Sequence, residues 1–166
     1  MSKTELYITR HGQSYGNIPA KSGERAKDVL LREDPPLTEP GIRQAQLLGE
    51  RLSQVQFDSI ISSPLRRAVA TAYETAVRQP GGACEIELLP DMIEVGTQPG
   101  FTGVGFEMLK KDFPCVVKYD TEKYGIGSYV PEEENELQPF ERAQKVAQHI
   151  LTRFPFDSDK KVLLVA

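Results

Sequence analysis

Ser59-Ile60-Ile61-Ser62-Ser63-Pro64-Leu65-Arg66-Arg67-Ala68-Val69-Ala70-Thr71-Ala72 passes from a short apolar run into a helical periodicity with no loop between them. Ser59 to Ser62 predicts a strand. Ser63 then serves as N-cap with Pro64 at the first helical position, where proline forfeits only an amide hydrogen that the first turn leaves unpaired anyway. Leu65, Ala68, Val69, Ala72 and Ala76 form the buried stripe of that helix, and Arg67 points away from it, towards solvent or towards a site.

The same alternation extends in both directions. Apolar runs predict strands at Glu5 to Thr9, Glu85 to Leu89 and Val162 to Ala166. A helix starts at Thr38, whose hydroxyl caps the first turn while Leu37 and Ile42 flank it, and its expected buried face is Ile42, Ala45, Leu48, Leu52 and Val55. Another runs from about Pro139 to Arg153, burying Ala143, Val146, Ala147, Ile150 and Leu151. Strands alternating with helices predict an α/β fold, a three-layer sandwich with a mostly parallel central sheet flanked by helices. Gly96 to Pro131 breaks the rhythm with glycines at 96, 100, 103, 105, 125 and 127 and one short helical candidate, Phe106 to Phe113. Residues 97–131 are therefore expected to form an insertion or lid over one sheet edge, within a single domain spanning 1–166. Phe101, Phe106, Tyr119, Tyr124 and Tyr129 either line that lid or simply pack.

Composition narrows the function. Twenty Lys and Arg against 24 Asp and Glu give a net charge of −4, and no basic block offers a footprint for nucleic acid. The acidic cluster Glu132-Glu133-Glu134-Asn135-Glu136 reads as a solvated loop. The longest apolar run, Val162 to Ala166, is far short of the roughly 20 residues of a membrane-spanning helix, so no membrane is expected as a partner. Met1-Ser2-Lys3-Thr4-Glu5 lacks the organisation of a secretory signal, which points to the cytoplasm. Cys84 and Cys115 have neither CxxC spacing nor a nearby histidine and read as reduced structural thiols. Oligomeric state is not readable.

Two stretches could carry chemistry. Arg10-His11-Gly12 follows the first strand directly, at the end where open parallel sheets bind ligands, although a histidine there also serves as a hydrogen-bonded structural residue. Ser63 to Ala68 runs from a strand end into a helix N-terminus, whose free amides attract anions and whose arginine supplies a planar fork for phosphate oxygens.

Together these segments resemble the histidine phosphatase superfamily, which includes the cofactor-dependent phosphoglycerate mutases and many phosphomonoesterases. Arg10-His11-Gly12-Gln13-Ser14 with Asn17 resembles its nucleophile motif, Leu37-Thr38-Glu39-Pro40-Gly41 the helix start that follows, and Ser63-Pro64-Leu65-Arg66-Arg67-Ala68 its second arginine motif. The match runs from about Leu6 to Ala72 and recurs at Glu94, Glu136 to Arg142 and Val162 to Ala166. The resemblance implies that His11 is the nucleophile, that Arg10 and Arg67 ligate the phosphoryl oxygens, and that Glu94 is the general acid, with Asp91 as an alternative. Ser14 and Asn17 would bind substrate by hydrogen bonds, or else cap a turn. Glu136, Arg142 and His149 receive no catalytic part; His149 falls on the polar side of its helix.

In-line phosphoryl transfer asks little of the protein beyond position and field, so neither a metal nor a cofactor is called for. The expected function is hydrolysis of a small phosphorylated metabolite through a phosphohistidine. A mutase-type phosphotransferase is the alternative, as is a domain that only binds a phosphorylated ligand or a protein partner. In the family, the strand resembling Val162 to Ala166 leads into a second His-Gly, so a C-terminal continuation beyond Ala166 is expected.

Overall fold

The computed structural model describes residues 3–19, 33–82, 85–97, 99–118 and 137–166. Strands β1 (Glu5–Thr9), β2 (Ser59–Ser62), β3 (Ile86–Leu88), β4 (Val116–Lys118) and β5 (Lys161–Val165) form one sheet in the order β1-β5-β2-β3-β4. Every pairing is parallel, with Leu6 opposite Val162 and Ile60 opposite Leu163. Helices α1 (Glu39–Arg51), α2 (Arg66–Ala76), α3 (Phe106–Asp112) and α4 (Gln138–Arg153) complete the described elements of regular structure, together with three short 3₁₀ turns.

The central strands β2 and β5 are buried on both faces, and successive residues along them serve opposite layers. Ile60, Leu163 and Val165 pack with Ala68, Val69, Ala72 and Ala76 of α2 and with Phe106 and Leu109 of α3. Their chain neighbours Ile61, Val162 and Leu164 face the other way, against Ile150 and Phe154 at the end of α4. This is the expected three-layer sandwich. Among the described residues no helix is long and apolar enough to cross a membrane.

Several expectations shift in detail. Helix α2 begins at Arg66, later than the predicted Ser63 cap, because Leu65 stays extended at φ −75°, ψ 134°. Its predicted stripe is buried throughout. Strand β4 lies inside the stretch expected as an insertion over the edge; three of those residues are themselves the edge strand. Phe106 packs in the core rather than lining a lid. On α4 only Ile150 of the predicted face is buried and Val146 half-buried, whereas Ala143, Ala147 and Leu151 are exposed, since the helix meets the sheet along a narrow i, i+4 line. Cys84, Tyr119, Tyr124, Tyr129 and the acidic cluster lie outside the described residues; Cys115 is half-buried with its thiol unpaired, and burial pushes its pKa up.

Helix α1 starts where expected, with Thr38 Oγ1 accepting from Gly41 N at 3.1 Å. Its buried face, however, is Gly41, Ala45 and Gly49, and Ile42 is 42% exposed. The glycines explain the rotation. A Cβ on Gly41 would stand 1.9 Å from the Gln13 carbonyl oxygen, and one on Gly49 would stand 2.3 Å from that of Glu74, so backbone replaces side chain at the contact. Gly41→Ala is therefore expected to force apart α1 and the loop that carries His11, destabilising the protein by about 3 kcal/mol. Thermal unfolding should show a fall of about 6–12 °C, and an unchanged melting temperature would refute the close approach.

Candidate active site

The parallel register brings the carboxyl ends of β1, β5 and β2 level, and backbone bonds continue past the strands. Ala166 N donates to Thr9 O (3.1 Å), His11 N to Ala166 O (2.7 Å) and Ser63 N to Val165 O (2.9 Å). A cavity of about 380 Å³ opens there, lined by Arg10, His11, Ser63, Arg67 and Glu94 over an apolar wall that includes Leu65 and Ile93. Ligands of open α/β sheets bind in this position.

The partners of His11 define its protonation. Nδ1 lies 2.7 Å from the carbonyl oxygen of Gly12, which can only accept, so Nδ1 carries the hydrogen. Nε2 lies 3.1 Å from Arg67 Nε, which can only donate, so Nε2 presents a lone pair. Burial, with Arg67 and Arg10 adding to it, holds the imidazole pKa below its ordinary value, against the opposing pull of Gly12 O and Glu94. The neutral form of the ring is thus favoured and its orientation fixed, with the Nε2 lone pair turned to Arg67.

Arg67 is the hub. Its side chain is 3% exposed, and besides His11 it donates from Nη1 to Gly100 O (3.0 Å) and from Nη2 to Glu94 Oε2 (2.9 Å). The Phe101 ring centroid lies 5.8 Å from the guanidinium carbon. Of the two arginine orientations left open by its helical position, the structure adopts the one facing the site. Glu94 follows the 3₁₀ turn Pro90–Met92, and its loop is pinned by Arg142 Nη1, which donates to the carbonyls of Asp91 (2.9 Å) and Ile93 (2.6 Å). Glu94 lines the cavity; Asp91 does not. Arg10 stands exposed at the cavity rim.

Two of the candidate residues sit apart. Asn17 Oδ1 accepts from both Ser14 N and Ser14 Oγ at 2.9 Å, closing the 3₁₀ turn Tyr15–Asn17. Neither residue lines the cavity, so the turn-capping alternative is the one that the structure displays. Arg142 has the structural part expected of it, His149 is exposed, and Glu136 lies outside the described residues.

One residue behind Arg67 went unrecognised in the sequence. Asp34 is fully buried, and its Oδ1 lies 4.0 Å from Arg67 Nη1. Burial pushes its pKa up to about 6, although the amides of Arg66 and Val104 and the two neighbouring guanidiniums pull it down. An acid before two prolines in a loop carries no periodic signal that would single it out.

The family model of the histidine phosphatase superfamily (branch 1) matches residues 6–166, nearly the whole chain. The chain belongs to the histidine phosphatase superfamily. Among sequence relatives of this histidine phosphatase-family chain, a probable phosphoglycerate mutase, GpmB, of Proteus mirabilis is 33% identical over 87 residues, which is 52% of this chain and 35% of that protein. The matched stretch thus spans about a third of the length of such relatives. Among solved structures, the phosphoserine phosphatase of Entamoeba histolytica in complex with 3-phosphoglyceric acid is 24% identical, with a TM-score of 0.57, covering 98% of this chain and 73% of that one. The ecdysone phosphate phosphatase of Bombix mori in complex with tungstate is 21% identical, with a TM-score of 0.61, covering 97% and 71%. These structures share the α/β fold of this superfamily member.

Proposed function

We propose that this chain is a phosphomonoester hydrolase that acts through a phosphohistidine on His11, with a small phosphorylated metabolite as substrate. The observation that carries the reading is the neutral Nε2 of His11, held by Arg67 Nε at 3.1 Å inside a cavity at the strand ends. The substrate phosphoryl group takes the place of Glu94 on the guanidinium of Arg67, whose Nε–H passes from His11 Nε2 to a phosphoryl oxygen and so frees the imidazole lone pair, and Arg10 closes on it from the rim. Nε2 attacks phosphorus in line, forming an N–P bond as the P–O bond to the leaving alcohol breaks. Glu94 delivers the proton that this oxygen needs. Water then attacks the phosphohistidine, giving its proton back to Glu94, and inorganic phosphate leaves with His11 restored.

The held guanidinium of Arg67, joined by that of Arg10, stabilises charge as it redistributes during both transfers, and a preorganised donor is most effective where water is scarce. The solved neighbours named as phosphatases support hydrolysis. The sequence relative named as a probable phosphoglycerate mutase favours a second reading, transfer between positions of a phosphoglycerate. Phosphate release from p-nitrophenyl phosphate, sugar phosphates and phosphoglycerates tests the two; interconversion of phosphoglycerates without net phosphate release would establish the mutase instead.

The role of Glu94 has a separable signature. Glu94→Gln should slow phosphorylation of the enzyme by an alkyl phosphate by about 10²-fold or more in single turnover. With p-nitrophenyl phosphate, whose leaving group departs without a proton, the same step should slow by less than about tenfold. Equal losses on both substrates would remove Glu94 as the acid.

A further inference from the structure

Asp34 is the one carboxylate among the described residues that is fully buried, and no step above uses it. Its φ of +43° lies in the left-handed region, which an aspartate enters more readily than most residues. The segment that carries it is tied to the loop after β1 by Tyr15 N donating to Pro36 O (3.1 Å) and by the antiparallel bridge between Ser14 and Leu37.

So delivered, the carboxylate joins two segments distant in sequence. Oδ1 accepts from the amide of Arg66 at 2.8 Å, at the start of α2, where the N-cap residue Leu65 has no side-chain acceptor. Oδ2 accepts from the amide of Val104 at 3.2 Å, ahead of α3. These same segments hold Arg67, which is the second residue of α2 and donates to Gly100 O at the other end of the 100–104 stretch. Displacement of either segment would carry the guanidinium away from Nε2 of His11. The charges that Asp34 senses are Arg66 and Arg67, both from α2; the segment ahead of α3 contributes the Val104 amide. Glu94 opposes it across the guanidinium.

We propose that Asp34 is a positioning residue of this site, clamping the Arg66 and Val104 amides so that the Arg67 guanidinium stands against His11 Nε2. The kinetic part of the proposal rests on the phosphatase reading; the geometric part does not. A residue that merely capped α2 would support stability and leave the approach of Arg67 to His11 unchanged. The two roles differ in sign at His11. Removing the Asp34 charge with Arg67 in place strengthens the positive field on the imidazole and lowers its titration midpoint, whereas letting Arg67 swing away raises it.

The test is Asp34→Asn in the full chain, in which the side chain keeps one acceptor but turns an NH₂ group towards the other amide. NMR titration of His11 should show its midpoint shifted upward. On p-nitrophenyl phosphate, kcat should fall by about 10- to 100-fold, with KM changing by less than about threefold. A midpoint that stays or moves down, or a kcat within about twofold of the parent for folded protein, overturns the proposal. If Asp34→Asn does not fold, Arg66→Pro removes the donor while Asp34 remains, since proline suits the first helical position and Leu65 is already extended. Its His11 midpoint should also rise relative to Arg66→Gln, the control for lost charge, and no difference between the two overturns the clamp. Absence of any trapped phosphohistidine in the parent, together with the upward shift in the variant, would remove the enzymatic reading and leave the placement of Arg67 by Asp34 standing.

Discussion

His11→Ala is expected to abolish turnover, with a loss of about five orders of magnitude in kcat, and to eliminate the acid-labile radiolabel that the parent chain retains after quenching with a phosphorylated substrate. The size of the effect follows from what the side chain supplies. In the proposed mechanism Nε2 supplies the lone pair that forms the N–P bond, and Arg10 and Arg67, which line the same cavity, cannot lose their protons to replace it. The fold should survive, because the backbone contacts of residue 11, including His11 N to Ala166 O, do not use the ring. Circular dichroism with the parent melting profile would separate lost chemistry from lost structure. Retention of the label in His11→Ala would move the phosphorylation site elsewhere and end the phosphohistidine reading.

The same ring predicts a pH dependence. Its folded-state pKa is lowered, chiefly by burial, so the neutral imidazole persists as pH falls below the ordinary histidine value of 6.5. Activity governed by this group should accordingly have an acid limb beneath that value. The linked stability has the same sign. The contribution of a neutral His11 is fully present above 6.5 and is lost as pH falls through the depressed folded pKa, because the unfolded chain binds the proton first.

Residues 5–12 and 59–72 were legible because the information in them is local. A buried parallel strand reads as an apolar run and the next element starts within a few residues, while the roles of the polar groups at the junction were legible only through the family resemblance. Arg10, His11 and Arg67 sit on such junctions, Glu94 follows the 3₁₀ turn after β3, and all four reach the same cavity. The misread features depend on partners remote in sequence. Helical periodicity alone places Ile42 in the core, but the position of Gly41 against Gln13 O turns α1 onto its glycines. Strand β4 has three residues and no alternation to reveal it. Asp34 acts on Arg66 and Val104, and local sequence cannot show that one carboxylate will bridge two such amides. Ser14 and Asn17 went the other way: their mutual bond is local, and it satisfies polar groups that would otherwise have been free for a ligand.

Arg67→Lys should be nearly as damaging as Arg67→Ala, and the comparison tests whether geometry or charge dominates at this site. Truncation to alanine removes the cation that meets developing phosphoryl charge, for which a loss of about 10³- to 10⁵-fold in kcat/KM is expected. Lysine restores the charge on a single nitrogen. It cannot donate at once towards His11 Nε2, Gly100 O and Glu94, which the three guanidinium nitrogens of Arg67 reach at 3.1, 3.0 and 2.9 Å. If orientation matters most, Arg67→Lys retains less than about one hundredth of parental kcat/KM. If net charge suffices, it retains more than a tenth, and the description of Arg67 as a planar hub fails. Stability supplies a second, independent reading. Asp34 is fully buried 4.0 Å from Nη1, so Arg67→Ala strips a buried carboxylate of a nearby cation, and Asp34 should then hold its proton to still higher pH. Loss of the cation from beside His11 should also let the imidazole pKa rise, since Arg67 is one of the groups that lower it. Both titrations should thus move upward in Arg67→Ala, and a His11 midpoint that does not respond would mean that the guanidinium never stood against Nε2.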